Sequence, residues 1–110
     1  MMDSSRTCIE SDWKLFRKKI IQWQEDHMAR LNKEYIAILS RQNPASRNFW
    51  DLEKRINKDK RHPGVQIDMR RSTMKYNIAI LLKDNVITLE DLDGFSQDLK
   101  DAIQILLGID

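Results

Sequence analysis

Histidine, cysteine and closely spaced carboxylates are the side chains that could do chemistry in this chain, and each set lacks a partner. His27 and His62 stand far apart, and neither has a Cys, Asp or Glu at a spacing known to ligate metal. Cys8 has only Arg6 as a nearby cation to lower its thiol pKa, and no G-x-S-x-G elbow or glycine-rich phosphate loop occurs. The carboxylate pairs Glu25-Asp26, Glu90-Asp91 and Asp98 with Asp101 fall on polar faces or at helix starts, where acids suit the helix dipole. The stretch from Leu82 to Leu92 resembles the end of an EF-hand loop, but that register puts Ile80 and Leu82 at the first two ligand positions. Apolar side chains cannot bind calcium. No catalytic residue, cofactor or metal ligand is expected, and His27 reads as a packed, hydrogen-bonded core histidine.

The strongest charge feature is the run Lys54-Arg55-Ile56-Asn57-Lys58-Asp59-Lys60-Arg61-His62. Cations near a helix C-terminus favour its macrodipole, so Lys54, Arg55, Lys58, Lys60 and Arg61 have a structural explanation. Their functional reading is an interaction patch that contacts phosphates, joined by Lys14, Arg17, Lys18 and Lys19. A helix-turn-helix would strengthen that reading. Placing Gly94 in its turn puts Glu90 at the small-residue position and Lys100 at a buried apolar one, so the motif is rejected. Arg70 and Arg71 interrupt an apolar stripe. At least one is expected to face inward, paired with a carboxylate from Glu90 to Asp101 or with a ligand or partner anion.

The elements that must position these groups are legible from periodicity and punctuation. Trp13, Phe16, Ile20, Trp23, His27, Leu31, Tyr35 and Ile38 recur at spacings of three and four, which predicts a helix of about 28 residues, roughly 40 Å long. Ser11 or Asp12 offers its N-cap, and Asn43-Pro44 ends it. Ile21, Met28 and Leu39 widen its apolar face enough for two neighbours or another subunit. A second helix runs from about Arg47 to Lys60, capped by Ser46, with Phe49, Trp50, Leu52 and Ile56 inward. His62-Pro63-Gly64 breaks the chain, and Pro63 suits the first position of a third helix reaching Asp84 through Ile67, Met74, Ile78, Leu81 and Leu82. Thr88 with Asp91 forms an acidic capping box, with Ile87 and Leu92 as its hydrophobic staple, opening a short helix that stops at Gly94. Ser96 caps a last helix containing Leu99, Ile103 and Leu106, ending near Gly108. Every Gly and Pro falls at a break.

Composition agrees with this layout. The 110 residues suit one compact domain, expected to be a flexible leader over 1–10 and a single helical domain over 11–110. Apolar residues at 41% and charged residues at 33% are globular values, and three Gly with two Pro are too few for an all-β chain. The fold class is therefore all-α: a small helical bundle with one long N-terminal helix, two medium helices and a short C-terminal helix pair. The longest apolar run, Ile78 to Leu82, is far short of the roughly 20 residues that cross a bilayer, so no membrane association is expected. One cysteine and no secretory signal favour a reducing, cytoplasmic setting. Charge is uneven: up to His62 there are 14 Lys+Arg against 9 Asp+Glu, a balance of +5, and from Pro63 there are 5 against 8, a balance of −3. Such a chain can pair its own halves or attract an acidic partner.

Several segments together resemble a small family of uncharacterised helical proteins from anaerobic, low-GC Gram-positive bacteria. They are Trp13-Lys14-Leu15-Phe16 with Trp23-Gln24-Glu25, Leu31-Asn32-Lys33-Glu34-Tyr35, Phe49-Trp50-Asp51-Leu52-Glu53-Lys54-Arg55-Ile56 and Lys60-Arg61-His62-Pro63-Gly64-Val65. Met69-Arg70-Arg71-Ser72 and Val86-Ile87-Thr88-Leu89-Glu90-Asp91-Leu92 with Phe95-Ser96 complete the likeness. The resemblance implies a cytoplasmic bacterial protein and no activity. Some members carry the label "multidrug transporter", which the lack of a membrane-length apolar run contradicts. The expected function is non-enzymatic: an interaction or regulatory protein that binds a protein partner through helical surfaces, with a homodimer as one form. The alternative is a nucleic-acid-associated accessory protein using residues 54–62, whose affinity must fall steeply with salt.

Overall fold

The structure is a computed structural model and describes residues 9–108; the expected leader, and with it Cys8, lies outside the described residues except for its last two positions. Four α-helices form the described chain: α1 (Glu10–Leu39), α2 (Ala45–Asp59), α3 (Met74–Lys83) and α4 (Gln97–Leu106). Single 3₁₀ turns at Arg71–Thr73 and Leu89–Leu92 precede α3 and α4, and the described residues hold no strand. The chain is all-α, as its punctuation requires.

The first helix reaches 30 residues, about 45 Å. It begins at Glu10 with Ile9 as N-cap and no side-chain cap bond, so Ser11 and Asp12 lie inside the helix and do not cap it. Its N-terminal half buries Trp13, Phe16, Ile20 and Trp23 against Met74, Ile78, Ala79 and Leu81 of α3 and Leu99 and Ile103 of α4. Val86, Ile87, Leu92 and Phe95 close that core from the connecting segments. No α1 residue beyond Trp23 belongs to it. The head of the molecule therefore ends one-half of the way along α1, and the other half continues outward with α2 as a helical hairpin arm. This makes the molecule long, 61 × 24 × 23 Å, with a radius of gyration of 17.0 Å against about 13 Å for a compact chain of this size.

Local signals explain where the head's elements stop and start. Asn85 takes φ 62° after α3; Asn85 N–H bonds Leu82 O at 3.2 Å and Val86 N–H bonds Leu81 O at 2.8 Å, a Schellman closure built on Asn instead of Gly. The capping box forms as expected: Thr88 N–H donates to Asp91 Oδ2 at 2.7 Å, and the Thr88 hydroxyl accepts from the Asp91 backbone. Ile87 and Leu92, the staple pair, are both buried. Ser96 Oγ accepts from Leu99 N–H at 3.1 Å and caps α4.

The third helix is shorter than periodicity predicts. Residues 64–70 are not helical, and Pro63 is not a first helical residue. Gly64 instead lies against the face of His27, where a Cβ would stand 2.5 Å from His27 Cδ2, and Gln24 Nε2 donates to Pro63 O at 2.9 Å. Beyond it Val65 and Ile67 are half-buried while Gln66 and Asp68 are exposed, the two-residue alternation of a strap laid along α1. These anchors to α1 outcompete helix extension over Ile67 and leave Arg70 and Arg71 ahead of α3.

Candidate interaction surfaces

The arm buries Leu31 and Ile38 of α1 and is tied together by polar locks. Asn48, the only buried residue of α2, donates from Nδ2 to Arg41 O at 3.0 Å and Leu39 O at 3.4 Å, tying α2 to the carbonyls at the end of α1. Tyr35 Oη donates to Asp59 Oδ2 at 2.6 Å, Arg55 Nε donates to the same oxygen at 2.8 Å, and Arg55 Nη2 pairs with Glu34. Burial, reinforced by the Asp59 carboxylate, pushes the Tyr35 phenol up to about 12. The Arg55 guanidinium also stands 5.8 Å from the Tyr35 ring centre.

Those locks decide which way α2 faces. Asn48 and Arg55 point at α1, so Phe49 and Ile56, each one residue later, sit about 100° round the helix. Phe49, Trp50 and Ile56 were expected inward; the structure places them outside, at 60%, 61% and 40% exposure, with Leu52 half-buried. The hairpin buries Leu31 and Ile38 of α1 with Leu52 half-covered, and the bonds of Asn48, Arg55 and Asp59 fix the rotation of α2 that leaves Phe49, Trp50 and Ile56 outside. Phe49 and Trp50 meet edge to face at 4.9 Å, and Ile36 and Leu39 of α1 are exposed on the same arm.

The basic segment is not one surface. Arg55 is taken up by Glu34 and Asp59. Lys54 and Lys58 share a shallow recess with Ile38, Arg41 and Asp51, where Arg41 and Asp51 stand 3.8 Å apart. Lys60 lies past the last turn on the ridge side, and Arg61 is in the loop beyond it.

Neither arginine of the second pair faces inward, which corrects that expectation. Arg70 pairs with Asp68 at 2.6 Å with both side chains largely exposed. Arg71 makes two bonds to the Glu10 carboxylate, at 2.9 and 3.1 Å, and lies 5.3 Å from the centre of the Trp13 ring. The Arg71 hydrogen bond holds Glu10 below the ordinary carboxylate value. The buried ion near the acidic segment is Asp12, 2% exposed, which accepts from Ser96 N–H at 2.8 Å and Ser96 Oγ at 2.6 Å. The strap between His62 and Arg70 is what carries both arginines away from the head's interior.

At the junction of head and arm the two histidines meet, with ring centres 5.6 Å apart. Their sequence separation gave no sign of this. Gly64 N–H donates to His62 Nδ1 at 2.9 Å, so Nε2 carries the proton that reaches Asp84 Oδ2 at 2.7 Å. His27 is half-buried against Gly64 and outside the core, and no hydrogen bond reaches its ring among the described residues, which corrects the expected hydrogen-bonded core histidine. Burial, followed by the neighbouring His62 and Arg30, holds His27 below its ordinary value, while Asp59 and Glu34 pull the other way. Among the described residues no three His, Cys, Asp or Glu side chains are grouped to hold a metal ion.

The head has an open surface of its own. A groove of 610 Å³ runs between the end of α3, the turn Leu89–Leu92 and α4, lined by Leu82, Leu89, Leu92, Ile103 and Leu107 with Lys83, Gln97, Lys100 and Gln104 at its edges. No sequence motif marked it, because its lining is drawn from three elements. No described helix is long and apolar enough to cross a membrane. Compared with known protein families, curated proteins and solved structures, the chain matches none.

Proposed function

We propose that this protein is a non-enzymatic interaction module that binds a protein partner through the outer face of its arm. The observation that carries this reading is the orientation of α2: a helix of 15 residues that buries one asparagine and keeps Phe49, Trp50 and Ile56 in water. Exposed aromatic clusters of this kind mark interfaces, where Trp and Tyr or Phe anchors supply most of the binding energy. The scatter of Lys54, Lys58, Lys60 and Arg61 around α2 weighs against a continuous phosphate-binding surface, which is why nucleic-acid association ranks second.

The test uses two positions of equal exposure. Trp50 and Tyr76 are both 61% exposed, one on the arm and one on α3. A photo-crosslinking amino acid placed at position 50 in living cells is expected to yield protein adducts, and at position 76 to yield few. Adding Phe49→Ser and Ile56→Ser to the first variant is expected to abolish the adducts while changing stability by less than about 0.5 kcal/mol, as befits surface positions. Equal labelling at the two positions would overturn the reading.

A further inference from the structure

The arm and the head each leave an apolar surface uncovered, and we infer that each covers the other in a second copy of this chain: the α2 ridge of one copy seats in the head groove of its partner. The inference rests on the arm being the binding surface and names what binds it.

Shape is the first support. Phe49, Leu52 and Ile56 form a ridge at i, i+3 and i+7, about 10.5 Å long. The groove wall formed by α4 and its C-cap presents Lys100, Ile103, Gln104 and Leu107, which also span seven residues. Charge is the second. One acidic side chain, Glu53, lies within the ridge, beside Phe49 and Ile56, and among the described residues its carboxylate accepts a hydrogen bond only from Asn57. The charged residues of the groove are Lys83 and Lys100, and neither has an ion-pair partner among the described residues. The flanks agree with these centres. Residues 31–62 carry eight cations and four carboxylates, a balance of +4, whereas residues 84–108 carry six carboxylates and one lysine, a balance of −5. Such complementarity steers encounter and fixes register.

A chain cannot satisfy itself in this way. The single uninterrupted helix α1 runs through both head and arm, with no Gly or Pro along its length, and holds the ridge away from its own groove. Two copies placed antiparallel bury both surfaces twice, and the contact closes with two-fold symmetry.

Sedimentation of the full chain at micromolar concentration in about 0.1 M salt tests this, with far-UV circular dichroism as the check on folding. The expected species is a dimer. Glu53→Lys alone, and Lys83→Glu with Lys100→Glu, are each expected to weaken dimerisation at least about tenfold, and the triple variant to recover most of that loss by restoring opposite charges. A chain that stays monomeric, or a dimer indifferent to both reversals, overturns the inference. Crosslinking at position 50 separates the two proposals. Adducts with another protein from a monomeric chain retire the second copy and keep the arm as interface; no adducts retire both.

Discussion

Asp12 is the side chain that ties the start of α1 to the start of α4. It is buried, and it binds both the backbone N–H and the hydroxyl of Ser96, while that hydroxyl in turn receives Leu99 N–H at the start of α4. One carboxylate thus orients the cap of a helix 84 positions away. Asp12→Ala should cost about 2–4 kcal/mol, since a charge-assisted bond is lost and two half-buried donors of Ser96 are left without their acceptor; urea unfolding measures it, and a loss under about 1 kcal/mol would show that water replaces the carboxylate. His27 sets a pH dependence of known sign. Its folded value lies below 6.5, so as pH falls through 6.5 the unfolded chain takes up a proton that the folded chain refuses. The stability it contributes is present above that pH and is lost as pH drops toward the folded value. Urea midpoints should fall between pH 7.5 and 5.5, and His27→Gln should flatten that fall.

At the scale of elements, some helix ends were legible and the face of α2 was not: Ser11, Asp12 and Ser46 lie inside their helices and Pro63 does not start α3, while other breaks fall where expected. Gly, Pro and capping residues act through their nearest neighbours, so Thr88 with Asp91, Ser96 with Leu99, and the break at Asn43-Pro44 could be read directly. The α2 face could not, because an apolar stripe states what avoids water and not which surface removes it. Asn48 and Asp59 determined the outcome through partners on another helix, and nothing local in the sequence identifies such partners. The same limit applies to the strap, where Gly64 is held by a histidine 37 positions earlier. The candidate surfaces were legible only in part: the cations of residues 54–62 were visible, but their dispersal and the head groove were not. Because α2 is held by polar locks, its amides should exchange hydrogen faster than those of α3 and α4 when no partner covers it. Exchange measured on the Glu53→Lys variant tests this, and equal protection across the three helices would contradict it.

At the scale of the whole molecule, head and arm differ in how far apart in sequence their contacts lie. The arm closes through Glu34 with Arg55 and Tyr35 with Asp59, all within one short stretch. The head cannot close until Ser96 reaches Asp12 and Leu99 and Ile103 reach the core of α1. Low contact order makes the first fast and the second late. On the ribosome the two stages become an order of events. The 48 residues between Asp59 and Leu107 take roughly 2–10 s to synthesise at about 5–20 residues per second. Once Asp59 has left the exit tunnel the hairpin can form its locks, while the α1 aromatics Trp13, Phe16 and Trp23 still lack α3 and α4. A nascent chain of this protein therefore displays two apolar surfaces at once, the α2 ridge that only a partner covers and the α1 aromatics that its own later helices cover. Its own synthesis, more than its finished stability, is the stage at which it most needs shielding by a chaperone.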